Sequence, residues 1–355
     1  MSDLSIYKGK KVFITGHTGF KGTWMTLILK SLGADVRGYA LAPSTEPSHF
    51  NILNLKNDID HIEGDIRDFN SLNNAINDFG PEFIFHLAAQ PLVKESYDNP
   101  KDTLDINIMG SVNLLEAVRK CNTVKSLTYI TSDKCYENVE WIWGYRENDA
   151  MGGHDPYSAS KGAAEIVFSS YLRSYFAENS NIGAASARAG NVIGGGDWSA
   201  DRIIPDCIKA IEKGKPITLR NPNSTRPWQH VLEPISGYLL LGAKLRNNPN
   251  KFSGSWNFGP STSEFRNVEQ VASSIINLMG KGSIKVVENN NNQHEANLLQ
   301  LNCDKASQIL GWSPRWSVDK TIEETARWYN SFLKGESMSF VSKNQILDYF
   351  NGEIK

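Results

Sequence analysis

At 355 residues the chain is long enough for one large or two coupled domains with a substantial core. Its 40% hydrophobic and 21% charged content is ordinary for a soluble globular protein, and a net charge of −2 provides no basic field for nucleic acid. No apolar run reaches membrane-spanning length, no apolar segment precedes the first strand as in a signal peptide, and the four scattered cysteines form no CxxC. A cytoplasmic protein with free thiols, no bound metal and no membrane or nucleic-acid partner is expected.

The first apolar run, residues 12–15, predicts a strand, and GHTGFKG follows it directly. Gly16, Gly19 and Gly22 stand at GxxGxxG spacing, with Thr18 and Phe20 between them, at the junction to a helix over 22–32. Glycine there permits a sharp turn and lets backbone amides approach a pyrophosphate, which the helix N-terminus favours electrostatically. A second strand, 35–39, ends in Arg37-Gly38-Tyr39-Ala40 without the usual ribose-binding acid, so the residues alone leave NAD and NADP both open. After a third strand at 59–63, Asp65 and Ile66 are candidates to face the adenine. The fourth, 83–87, closes with Leu87-Ala88-Ala89, small enough for a cofactor to pass close to the backbone.

Helices over 71–79 and 112–120 alternate with these strands and with a fifth at 127–130. The fifth runs into TSDKCYEN, where Asp133 and Lys134 are adjacent: a solvated turn or a catalytic pair. YxxxK occurs three times, so its surroundings must decide which copy matters. Tyr7/Lys11 straddles the start of a strand and Tyr97/Lys101 is interrupted by Pro100. Tyr157/Lys161 follows Asp155-Pro156, a cap and first-turn signal, and opens a helix over 157–176 that places the two side chains on one face. A nearby ammonium is expected to lower the Tyr157 phenol toward neutrality and make it a usable base.

A sixth strand is expected at 183–188. Beyond about residue 190, Gly194-Gly195-Gly196 and Pro205, Pro216, Pro222 and Pro227 break the alternation. The prediction is an α/β protein: a Rossmann-type, doubly wound parallel sheet in residues 1–190, with 191–355 mainly a smaller, irregular substrate-binding lobe whose chain re-enters the first domain. Residues 289–293 read as a polar loop, and 138–153 as a segment able to fold over a ligand, with Trp141, Trp143 and Trp198 as core or lid residues. His230 reads as a packed structural histidine.

GHTGFKG, TSDKCYEN, GGHDPYSASK, RAGNVIGGGDW and RPWQHV together resemble the extended short-chain dehydrogenase/reductase superfamily and, within it, the nucleotide-sugar 4,6-dehydratases, over nearly the whole chain. The longest matches are similar to the branch that acts on CDP-glucose. The resemblance implies tightly held NAD, a 4-keto-6-deoxy sugar product, and a homodimer or homotetramer built through a helix bundle. It also implies roles: Tyr157 as base at the sugar O4, Lys161 on the nicotinamide ribose, Ser132 near O4, and a protonated Asp133 as acid for the C6 hydroxyl. Lys134 departs from the superfamily pattern, which has Glu there as C5 base, and so either removes the C5 proton or stabilises the enolate. Asn191 and Arg226 are implied on the substrate side, with Arg202, His294 and Glu295 as further candidates that read equally as surface residues. The other readings are a dehydratase or 4-epimerase for another nucleotide sugar, and a non-catalytic nucleotide-sensing regulator.

Overall fold

A computed structural model of the protein describes residues 2–176, 182–261, 265–287 and 298–352. Seven parallel strands form its central sheet: β1 (Lys11–Thr15), β2 (Asp35–Ala40), β3 (Asp60–Glu63), β4 (Phe83–His86), β5 (Ser126–Ile130), β6 (Gly183–Arg188) and β7 (Gly254–Asn257). Their spatial order is β7-β6-β5-β4-β1-β2-β3. The first six match the apolar runs read from the sequence, and the order reverses between β1 and β4, where open α/β sheets bind ligands.

Alternation along β1 shows how both faces are covered. Val12 and Ile14 join one apolar cluster with Trp24 and Ile28 of α1 (Phe20–Ser31), whereas Phe13 joins the other. That second cluster holds α2 (Phe69–Phe79), α3 (Gly110–Lys120) and α4 (Pro156–Tyr171), through Leu72, Leu115 and Phe168 among others. The strands inside the sheet, β1, β4, β5 and β6, therefore bury both their faces, as crossover helices on two sides require, whereas edge strand β3 has no fully buried residue.

Capping explains where the helices start. Asp68 accepts from the Ser71 amide at α2, and Asp155 accepts from the Ser158 amide at 2.9 Å at α4, with Pro156 at its first position. The chain after residue 190 contributes regular helices as well as loops. Leu232–Asn247 packs against the α1 face through Ile235 and Leu239, and β7 then pairs with β6 in register Trp256↔Ala187. Helix Val318–Leu333 brings Trp328 into the same cluster. Among the described residues no helix is long and apolar enough to cross a membrane.

Candidate active site

The glycine loop is shaped by close backbone approach. Gly16 has φ +74°, and a Cβ there would lie 2.6 Å from the Ala88 amide nitrogen, which fixes the end of β1 against the end of β4. A Cβ on Gly22 would lie 2.7 Å from His17 Cα and nearer still to the Gly16 carbonyl oxygen. Gly19 is the N-cap of α1 and provides no side-chain cap, so the first-turn N–H groups of that helix point out of the loop. Thr18 donates to the Leu41 carbonyl, and Phe20 opens the helix. This loop fits a dinucleotide pyrophosphate: the backbone is bare, and the helix end is positive and uncapped.

Neighbouring candidates fall at the same end of the sheet. Leu87 donates its amide to Thr15, and Ala88 and Ala89 follow, half-buried. Ile66 is buried beneath Gly110 at the start of α3. Asp65 is engaged by Arg67 at 2.6 Å, which holds its carboxyl below the usual range, so any adenosine contact from Asp65 is shared with that pair. Space explains the glycine within β2. His17 occupies the region, its Nε2 2.7 Å from His61 Nδ1, and a Cβ on Gly38 would meet the His17 ring at 2.5 Å from Nδ1.

The TSDKCYEN segment leaves β5 as a buried turn. Ser132 accepts from the Lys134 amide at 3.2 Å and donates to Asp133 Oδ1 at 2.9 Å, and Asp133–Cys135 forms one 3-10 turn. Asp133 is 3% exposed, which rules out a solvated surface turn. Gly190 makes that burial possible: a Cβ there would sit 2.6 Å from Asp133 Oδ1 and closer still to Oδ2. Lys134 is half-buried, and its ammonium forms no ion pair among the described residues.

Tyr157 and Lys161 enter the same place from α4, both buried. The other two YxxxK pairs lie elsewhere. Tyr7 donates to the Leu239 carbonyl inside the core, and Lys101 pairs with Asp105 on the surface. The lowered phenol expected for Tyr157 is not what the geometry produces. Burial pushes Tyr157 up to about 12; Ser132, by hydrogen bonding, and Arg202, by its charge, offset part of the rise, and Asp133 adds to it. Lys161 lies 5.9 Å from the ring centroid and is itself pushed down to about 8 by burial. An ammonium that carries its own desolvation cost at that distance does not compensate the buried phenolate.

On the substrate side, Arg202 caps the helix Ile203–Glu212 and pairs with Asp197 at 2.9 Å, close enough to Tyr157 to act on it electrostatically. Asn191 takes φ +48°, and the adjoining Gln229 side chain donates to the Gly190 carbonyl at 3.1 Å. One cavity is lined by Asp133, Gly190, Pro227, Phe265 and Leu301; another by Arg220, Asn221, Thr225 and Leu298. Buried Arg226 lies in sequence between their linings. His294, Glu295 and the 289–293 loop lie outside the described residues. His230 is core, wedged against Trp316 at 4.8 Å and held neutral by burial, down to about 3. Trp198 also packs into the core, on Tyr329, whereas Trp143 is 66% exposed.

Lys21 was not singled out from the sequence. It stands in the first turn of α1, and burial followed by the charge of Arg202 pushes it down to about 8, while Asp133 and Asp197 act in the opposite sense. A lysine between the second and third glycines of a phosphate loop was the available signal.

The sequence model of the family described as GDP-mannose 4,6 dehydratase matches residues 13–325. The chain belongs to that family. A CDP-glucose 4,6-dehydratase of Salmonella typhimurium is 48% identical over the full length of both chains. A CDP-paratose 2-epimerase of Salmonella typhi is 26% identical over 90% of this chain and 99% of its own. The fold of this dehydratase family recurs in a dTDP-glucose 4,6-dehydratase of Bacillus anthracis solved in complex with NAD. It has a TM-score of 0.76 at 21% identity, covering 93% of this chain and 100% of that one. An epimerase of Methanothermobacter thermautotrophicus has a TM-score of 0.83 at 24% identity, covering 97% of each chain.

Proposed function

We propose that the protein is a lyase that converts CDP-glucose to CDP-4-dehydro-6-deoxy-glucose and water, with NAD held at the glycine loop. Gly16, Gly19, Gly22, Thr18 and Phe20 would cradle the pyrophosphate, Leu87–Ala89 would flank the nicotinamide half, and Lys161 would bond its ribose. Bound NAD supplies a hydride acceptor that is regenerated within the cycle. Tyr157 takes the proton of the sugar 4-hydroxyl, and the resulting 4-ketone acidifies the C5 hydrogen. Lys134 acts on that C5 proton. Asp133 gives its proton to the departing C6 hydroxyl, which leaves as water. The C5=C6 bond so formed would take back the hydride at C6 and a proton at C5, which closes the balance to the 6-deoxy product.

The observation that carries this reading is the convergence of Asp133 and Tyr157 in one buried site, close enough for the Asp133 charge to act on the Tyr157 phenol. A 4-epimerase needs no acid at C6. A sensing protein without chemistry needs neither group. The cytidine assignment is supported by the 48% full-length identity to the Salmonella CDP-glucose enzyme.

Purified protein incubated with CDP-glucose and NAD should yield a product lighter by one water, with no net reduction of the cofactor. Preferred turnover of UDP- or dTDP-glucose would overturn the cytidine assignment, and net cofactor reduction would indicate a simple dehydrogenase. A homodimer or homotetramer built through α3 and α4 completes the reading, supported by Met109 and Ile166, 52% and 60% exposed at the start of α3 and on α4.

A further inference from the structure

Glu165 and Arg188 form an ion pair in which each side chain is only 2% exposed. Neither takes part in the chemistry above. Arg188 Nε donates to Glu165 Oε1 at 2.9 Å and its second terminal nitrogen to Oε2 at 2.7 Å, a two-pronged fit. The remaining capacity of both groups is also used. Glu165 accepts from the Thr131 hydroxyl at one oxygen and from Ser186 at the other, 2.8 Å away. Arg188 donates further to the Tyr136 hydroxyl at 2.7 Å and to the Glu147 carbonyl at 3.0 Å. Tyr136 passes the connection on to Asn257 of β7 at 2.8 Å.

The placement of these contacts matters more than their number. Thr131 is the residue before Ser132, and Tyr136 the residue after Cys135, so the pair grips both ends of the turn that carries Ser132, Asp133 and Lys134. Glu165 follows Tyr157 and Lys161 at the next i+4 step, on the same face of α4. A buried ion pair is seldom the most stable filling for a core, since well-packed apolar residues serve at least as well. Its distinct property is direction, because a planar guanidinium and a carboxylate fix their partners' angles as well as their distances.

We infer that Glu165 and Arg188 are positioning residues: a buried clamp that fixes the Ser132-Asp133-Lys134 turn against the helix carrying Tyr157. The inference rests on the dehydratase reading for its activity measurements only. Glu165 also favours the charged form of Lys161, partly offsetting the effect of burial, so the clamp supports the site by charge as well as by geometry.

Removing either ionised partner leaves the other buried and alone, and Glu165→Gln is therefore prone to misfold. Thr131→Val and Tyr136→Phe test the clamp while leaving the ion pair in place. In each, hydrogen exchange of the peptide spanning 131–137 should rise about tenfold on the purified protein without substrate, with exchange elsewhere and the melting temperature close to wild type. With CDP-glucose and NAD, kcat should fall about ten- to a hundredfold while KM stays within about twofold, as a displaced catalytic group demands. Thr131→Ser, which keeps the hydroxyl, should restore most of both. Wild-type kcat in both variants, or unchanged exchange in the turn, would overturn the clamp. A kcat loss that tracks melting temperature, with no rescue by serine, would reduce it to a stability element. Failure of wild-type protein to dehydrate CDP-glucose would sink the function while leaving the exchange result to judge the clamp.

Discussion

Gly190→Ala offers a direct test of the acid's position. The backbone at Gly190 does not occupy the left-handed region, so only space forbids a side chain there. An added Cβ would lie 2.6 Å from Asp133 Oδ1 and nearer to Oδ2, whereas ordinary contact begins at 3.4 Å. The Gln229 bond to the Gly190 carbonyl and the pairing of β6 with its neighbours hold the backbone, so the carboxyl is the part that moves. It must retreat by about an ångström or more, breaking its 2.9 Å bond from Ser132. A misplacement of about 1 Å in a reacting group costs on the order of a hundredfold in rate. The overpacking itself should cost about 1–3 kcal/mol, which lowers the melting temperature without abolishing folding.

The assay is formation of the product lighter by one water, measured for Gly190→Ala, Asp133→Ala and the double variant. Gly190→Ala should reduce kcat about a hundredfold in the wild-type background. In the Asp133→Ala background, where there is no carboxyl to displace, it should change kcat by less than about threefold. Equal losses in both backgrounds would mean that Gly190 acts through something other than Asp133. Wild-type turnover in the single variant would refute the placement of the carboxyl.

Three further outcomes are expected. Lys134→Ala should slow exchange of the C5 hydrogen in deuterated water by at least about a hundredfold; unimpaired exchange would remove Lys134 as the base. His49, His86 and His230 are buried and held neutral at about 3, and His17 likewise, with burial the main cause in each. Their folded values lie below the unfolded 6.5, so their contribution is complete above pH 6.5 and lost as pH falls from there toward 3. Each should cost about 1.4 kcal/mol at pH 5.5, and a denaturant midpoint unchanged between pH 7 and 5.5 would contradict their neutrality. Ile166→Glu should weaken the proposed helix-bundle association and lower the sedimentation coefficient in analytical ultracentrifugation, and an unaltered coefficient would place any interface elsewhere.

How much of this was legible in the sequence depended on whether a feature was local. β1 to β6 announced themselves as apolar runs between helical stretches. β7, Gly254–Asn257, carries a single large apolar residue, Trp256, and is a strand because β6 offers its edge. Tyr157 and Lys161 were separable from the two other copies of the motif because a cap, a proline and a helical spacing all lie within a few residues. Glu165 was equally visible as the next member of that series, but a glutamate on a helix ordinarily faces solvent, and only Arg188, 23 residues later, makes it a core residue. The raised phenol of Tyr157 was misjudged for a similar reason. Charge partners can be guessed from spacing, whereas burial belongs to the tertiary structure.

Burial also bears on how the site handles charge. Lys21, Lys161 and Arg202 arrive from α1, α4 and the cap of the helix Ile203–Glu212, and Lys21 is disfavoured by the charge of both the others. Two of the three are pushed down to about 8, so holding them protonated together costs free energy. Asp133 and Asp197 oppose that fall at Lys21 without cancelling it. Such a cluster suits a ligand bringing negative charge, and a nucleoside diphosphate sugar brings two charges to a cluster whose Arg202 is already held by Asp197. Arg202 also acts on Tyr157, so a cation placed for the substrate simultaneously favours the phenolate. The raised phenol and the lowered lysines share one cause, burial, which disfavours the charged form of each; an anionic substrate relieves the lysines, while Arg202 works against the rise at Tyr157.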